Sequence, residues 1–290
     1  MKKKSFVVAM LIGIIAFVSC EDDYEQVNTQ KEFATKETAV SPANPENKYD
    51  SIGVIHNNLL EKCKLQIQSF YQKNGDITLS QSHEIARSIL HGAKYDTNNF
   101  SYGSLTMLVS DSAQVYRTFI SSSSLSSVAK QEMLSLVSTI VNLAKQDVED
   151  YGLYKSAIVS KEREVSNNSA IPSHDRVILL SSMSVLRYSL CYWADVEDYF
   201  TDNSAKSKDK KMPKWVRIVA MGVADAAGAI GGAAAGAPTV LGAVAGGVVG
   251  AVSASSGAAT LCDKIDKVID DGSQNNGGNN GGNTGNNGNN

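Results

Sequence analysis

Between residues 51 and 73, apolar side chains return at steps of three and four: Ile52, Ile55, Leu59, Cys63, Ile67 and Phe70. That spacing lines one face of an α-helix, with Asp50 or Ser51 as N-cap and Asn74-Gly75 as the stop. Thr78 and Gln81 stand at capping-box spacing ahead of a second stripe, Ile85, Ile89, Leu90 and Ala93. Residues 95–102, rich in Asn, Asp, Gly and Ser, read as a loop. A third stripe (Leu105, Leu108, Val109, Val115, Phe119, Ile120) is broken by the serine run 121–124, and a fourth follows through Val128, Leu134, Val137, Ile140, Val141 and Leu143. A shorter fifth helix holds Leu153, Tyr154, Ile158 and Val159. A sixth starts at Pro172-Ser173-His174-Asp175 and runs through Leu179, Met183 and Leu186 towards Trp193. Five or six amphipathic helices with almost no period-two pattern predict an all-α bundle over residues 49–203.

Beyond the bundle the pattern changes. Gly228, Gly232 and Gly236 form one ladder, and Gly242, Gly246 and Gly250 a second, separated by Ala237-Pro238-Thr239. Residues four apart share a helix face, so each ladder opens a groove along which another backbone can lie close. Residues 215–270 are therefore predicted to form a glycine-ladder helical hairpin. No ionisable residue occurs over the 36 residues 226–261, and at about 1.5 Å per residue each arm approaches the thickness of a bilayer core. The basic linker 204–214 and Trp215 precede it, an arrangement suited to a membrane interface, where lysines meet anionic head groups and an indole sits at the boundary. A solvated charge run beside a core Trp fits the same residues. The tail 271–290 is Asn- and Gly-rich, without apolar residues to bury, and is predicted to be disordered.

The other end carries an address. Lys2, Lys3 and Lys4 precede the apolar run 6–18, and Ser19-Cys20 closes it. Residues 1–19 read as a lipoprotein signal peptide and Cys20 as the acylated first residue of the mature chain, bearing palmitate-type chains. An uncleaved signal-anchor helix is the alternative. Residues 20–48 are polar, with Pro42 and Pro45, and read as a flexible tether. Removing three lysines from the 27 basic residues leaves 24 against 30 acidic ones, a net of −6. A mildly acidic chain without a basic domain is no nucleic-acid binder by electrostatics. Cys63, Cys191 and Cys262 are odd in number and lack metal-ligand spacing, so buried free thiols are expected, one oxidised pair being the alternative outside the cytoplasm.

Two resemblances add to this. Glu21-Asp22-Asp23 directly after Cys20 resembles the acidic export signal of Bacteroidetes surface lipoproteins, which implies display on the outer face of the outer membrane. Tyr49-Asp50-Ser51-Ile52-Gly53-Val54-Ile55-His56-Asn57 and the block 177–193, with Ser184-Val185-Leu186-Arg187-Tyr188 and Cys191-Tyr192-Trp193, are similar to stretches of an uncharacterised Bacteroidetes surface-lipoprotein family. That family also has a glycine-rich, bacteriocin-like segment near its end. The resemblance implies no catalytic residue and no cofactor.

Enzymatic constellations are missing from the sequence. His56, His83, His91 and His174 are scattered, and neither His-Glu-x-x-His, Cys-x-x-Cys nor Gly-x-Ser-x-Gly occurs. The expectation is a non-enzymatic, lipid-anchored protein of the cell surface that interacts with a membrane through Trp215 and the six ladder glycines, a toxin-like action being one form of this. The alternative is a non-catalytic envelope scaffold or binding protein whose hairpin is buried in a soluble bundle. For that bundle, Gly costs about 1 kcal/mol per residue relative to Ala in a helix interior, which close packing has to offset.

Overall fold

The computed structural model describes residues 40–75, 77–95, 112–201 and 213–236. Among them are seven helices and no strand: α1 Asp50–Asn74, α2 Leu79–Gly92, α3 Ser112–Ser122, α4 Ser127–Lys145, α5 Tyr151–Asn167, α6 Ser173–Thr201 and α7 Lys214–Gly236. The all-α class read from the periodicity is the class observed. The signal peptide with Cys20, the tether up to residue 39, residues 96–111, the linker up to Met212, the second hairpin arm with Gly242, Gly246 and Gly250, Cys262 and the tail lie outside the described residues.

Local chemistry sets most of the helix ends. Gly75 stops α1 with φ 78°, a left-handed value that glycine adopts without strain. Thr78 and Gln81 form the expected reciprocal capping box on α2. Ser126 caps α4 and Asp150 caps α5 through their side-chain oxygens. Three boundaries differ from the sequence expectation. At the start of α1 the N-cap is Tyr49, which offers no side-chain bond, because the Asp50 carboxylate is committed to tertiary partners. Helix α5 runs on to Asn167 because its buried stripe, Tyr151, Tyr154 and Ile158, continues through Glu162 and Val165. Helix α6 runs past Trp193, the end of the apolar stripe read from the sequence, on to Thr201, with Val196 buried.

Two apolar cores result. The larger joins α3 to α7, with Leu60 from α1. The smaller belongs to the α1–α2 hairpin, where Ile52, Leu59, Cys63, Ala86, Ile89 and Leu90 meet Val185 of α6 and Ala229 of α7. Helix α6 packs most extensively on α7, then on α1 and α5, and α7 also touches α3 and α4. Every residue from 177 to 187 in α6 and from 221 to 230 in α7 is buried, so both helices are covered on all sides, as central helices are.

Glycines set how near the helices come. A Cβ on Gly222 would lie 2.6 Å from Leu190 of α6, and one on Gly231 2.8 Å from Phe119 of α3. Nine residues at 100° each amount to about two and a half turns, so the two glycines face opposite ways, and α7 lies between α6 and α3. Gly53 of α1 is tighter still, with Tyr188 at 2.3 Å and Ser184 at 2.7 Å from the missing Cβ. Gly53→Ala is expected to cost about 1–3 kcal/mol in urea unfolding, since the Tyr188 ring must move and its hydroxyl is tied to Asp50.

Candidate functional site

Helix α6 carries one charged residue, Arg187, between Val177 and Ala194. Its side chain is fully buried and needs acceptors, which three elements supply. Nη2 donates to Glu162 Oε1 of α5 at 3.0 Å and to Asp50 Oδ1 of α1 at 2.7 Å, and Nη1 donates to the Pro42 carbonyl. Nε finds no partner among the described residues. Burial by itself depresses the guanidinium pKa, and Glu162 and Asp50 more than offset it, so the pKa stands above its ordinary value. Glu162, itself buried, accepts from Asn44 Nδ2 at 2.6 Å and Asn47 Nδ2 at 2.7 Å; Asn47 also reaches the Leu180 carbonyl at 2.9 Å.

Residues 41–49 are therefore a docked strap, and the flexible tether read over 20–48 is too long at its C-terminal end. The reason is polar: Asn44 and Asn47 are 6% and 4% exposed because their amides satisfy a buried carboxylate. At the same junction Ser184 of α6 takes over the missing N-cap of α1, accepting from Gly53 N at 3.1 Å and donating to the Asp50 carbonyl at 2.9 Å.

One turn further, α6 meets α7 through Asp225, which is 0% exposed. Asp225 Oδ2 accepts from Ser189 Oγ at 2.5 Å and Trp193 Nε1 at 3.2 Å, and His56 Nε2 of α1 stands 3.8 Å away. Asn57 Nδ2 donates to the Tyr188 carbonyl, which turns Asn57 Oδ1 towards His56 Nδ1 at 3.0 Å. The neutral imidazole thus donates through Nδ1 and keeps Nε2 as an acceptor. Burial pushes the His56 pKa down to about 4, partly opposed by the Asn57 bond, so the ring is neutral at pH 7.

Serine, histidine and aspartate come together here in an order unsuited to nucleophilic catalysis. The Ser189 proton is directed to the carboxylate and not to the imidazole that would have to remove it. His56 and Asp225 are both 0% exposed, as is Ser189. Cys63 and Cys191 are both buried, and burial holds the Cys63 thiol up at about 12, far from nucleophilic reactivity. Among the described residues no group of three or more His, Cys, Asp or Glu is placed to hold a metal ion.

The sequence-predicted site residues fall as follows. Trp215 is buried at the start of α7, stacked on Tyr154 at 4.6 Å with the rings 7° from parallel. Gly228 and Gly232 lie buried within α7, and Gly236 ends it. The other three ladder glycines and Cys20 are outside the described residues. The structure joins the three separate stretches 49–57, 177–193 and the start of the glycine-rich segment in one polar seam. Arg187, Glu162 and Asp225 are central to it, and periodicity singled out none of the three. A lone charge in an otherwise apolar stripe was the available signal. The sequence matches no protein-family model, and searches of curated proteins and of solved structures return no match.

Proposed function

We propose that this chain is a non-catalytic binding or scaffold protein of the cell envelope, held by lipid at Cys20, in which the first glycine-rich arm is the central helix of a soluble bundle. The observation that carries this is the burial of all ten residues 221–230, Asp225 included. Dedicated donors on α6 match that carboxyl group, and Leu190 and Phe119 fill the space left open at Gly222 and Gly231. No cofactor enters this reading.

Membrane interaction through the glycine-rich hairpin is the second reading. In its favour, Ser173–Val196 and Lys214–Ala233 are both long and apolar enough to cross a bilayer. Against it, α7 would exchange its matched contacts for lipid and carry Asp225 into hydrocarbon, at about 2.5–3.5 kcal/mol at the bilayer centre on insertion scales.

Vesicle leakage separates the two. The mature chain with Cys20→Ser is expected to release no dye above background from anionic or zwitterionic vesicles at neutral pH, and to unfold in one cooperative transition. Under this reading Gly232→Leu destabilises the fold. Dye release that scales with protein and is abolished by Gly232→Leu in a still-folded chain would overturn the proposal.

A further inference from the structure

We infer that the α1–α2 hairpin is a lid over the α6–α7 face, and that the strap 41–49 is the clasp that keeps it shut. This rests on the reading of α7 as a core helix. Three observations support it. The hairpin has an apolar core of its own, to which the other described helices contribute Val185 and Ala229. Many of its other ties to α6 are polar: Asp50 to Arg187 and Tyr188, Ser184 to the first turn, Asn57 to the Tyr188 carbonyl and Glu61 to the Tyr192 hydroxyl, with Leu60 reaching the larger core. Towards its C-terminal end α1 extends away from cover, with Leu65 56% and Tyr71 55% exposed.

The clasp is covalently continuous with the lid, since residue 49 leads straight into α1. It grips the body at two buried charges. Glu162 takes one amide on each oxygen, from Asn44 and from Asn47, and Arg187 donates to the Pro42 carbonyl. Lifting the strap therefore leaves a buried carboxylate and a buried guanidinium each short of partners, which gives the shut state its polar lock. Behind the lid lie Tyr188, Ser189 and Asp225, on the two helices long and apolar enough to span a bilayer. Opening thus uncovers the side of α6 and α7 that carries Tyr188, Ser189 and Asp225, and from the α3–α7 core it withdraws Leu60 of α1.

Hydrogen exchange followed by mass spectrometry on the full mature chain tests this. In the wild type, α1 and α2 amides are expected to exchange ~10-fold or more faster than those of α4 and α5, through a sub-global opening. Asn44→Ala with Asn47→Ala should accelerate α1 and α2 by a further ~10-fold, with α4 and α5 unchanged. Removing the exposed Arg163–Glu46 contact, which lies at 61% and 65% side-chain exposure, should change neither. Exchange of α1 and α2 together with α4 and α5 in the wild type would overturn the lid, as would a double variant that accelerates all helices equally. Vesicle leakage at neutral pH by the wild type would instead defeat the proposed function, so the two failures are distinguishable.

Discussion

Arg187→Met is expected to lower the unfolding free energy by about 3–5 kcal/mol, read as a shift of the urea midpoint at unchanged slope. The substitution keeps most of the apolar stem that packs within α6 and removes the cation alone. Glu162, 1% exposed at its side chain, then holds a charge opposed only by two asparagine amides; Asp50, at 20%, is nearer to water and loses less. Arg187→Lys should fall in between, since one ammonium cannot serve Pro42, Asp50 and Glu162 from two separate nitrogens. Adding Glu162→Leu to Arg187→Met is expected to cost less than the sum of the two single changes, because each partner left alone is what makes a buried pair expensive to break. A loss below about 1 kcal/mol for Arg187→Met would mean that water reaches the seam and that these charges do not organise it.

What the sequence made legible follows from how locally each feature is encoded. The C-terminal end of α1 and the N-terminal end of α2 are written in neighbouring residues, Gly75 and the Thr78–Gln81 pair, and could be read directly. The extent of α5 was harder, because Glu162 occupies a core position of its stripe and looks like surface until Arg187 is known to face it. Partner choice of that kind is tertiary: Asn44 and Glu162 are 118 positions apart, and nothing in a stretch of Pro, Asn and Glu announces a docked strap. The glycine ladder shows the same limit. Four-residue spacing marks a face but not its neighbour, whereas Gly222 and Gly231, which lie off the ladder, are the α7 glycines whose missing Cβ atoms admit Leu190 and Phe119. An apolar helix of small residues reads alike whether its surroundings are lipid or protein. Asp225 was the residue to weigh, since a carboxyl group inside such a helix calls for dedicated donors, and Ser189 and Trp193 provide them.

Acidification is expected to weaken the fold through His56 before most carboxylates titrate. The imidazole pKa lies near 6.5 in the unfolded chain and is pushed down to about 4 by burial in the folded one. Between these values the unfolded state binds a proton that the folded state refuses. The stabilising contribution is thus fully present above pH 6.5 and is lost as the pH falls towards 4. At 1.36 kcal/mol per unit, the loss is about 2 kcal/mol by pH 5 and about 3 kcal/mol by pH 4. His83, also depressed mainly by burial, acts in the same direction. Urea unfolding at half-unit steps from pH 7.5 to 4.5 measures the slope, and His56→Gln, which retains an amide donor for Asn57, should remove most of it. The sign turns on one distance. Asp225 Oδ2 already accepts from Ser189 and Trp193, and at 3.8 Å it is beyond hydrogen-bonding reach of His56 Nε2, so burial outweighs attraction. A gain in stability over the same window would show the opposite, with the protonated ring closing that gap and an ion pair joining α1 to α7 in acid.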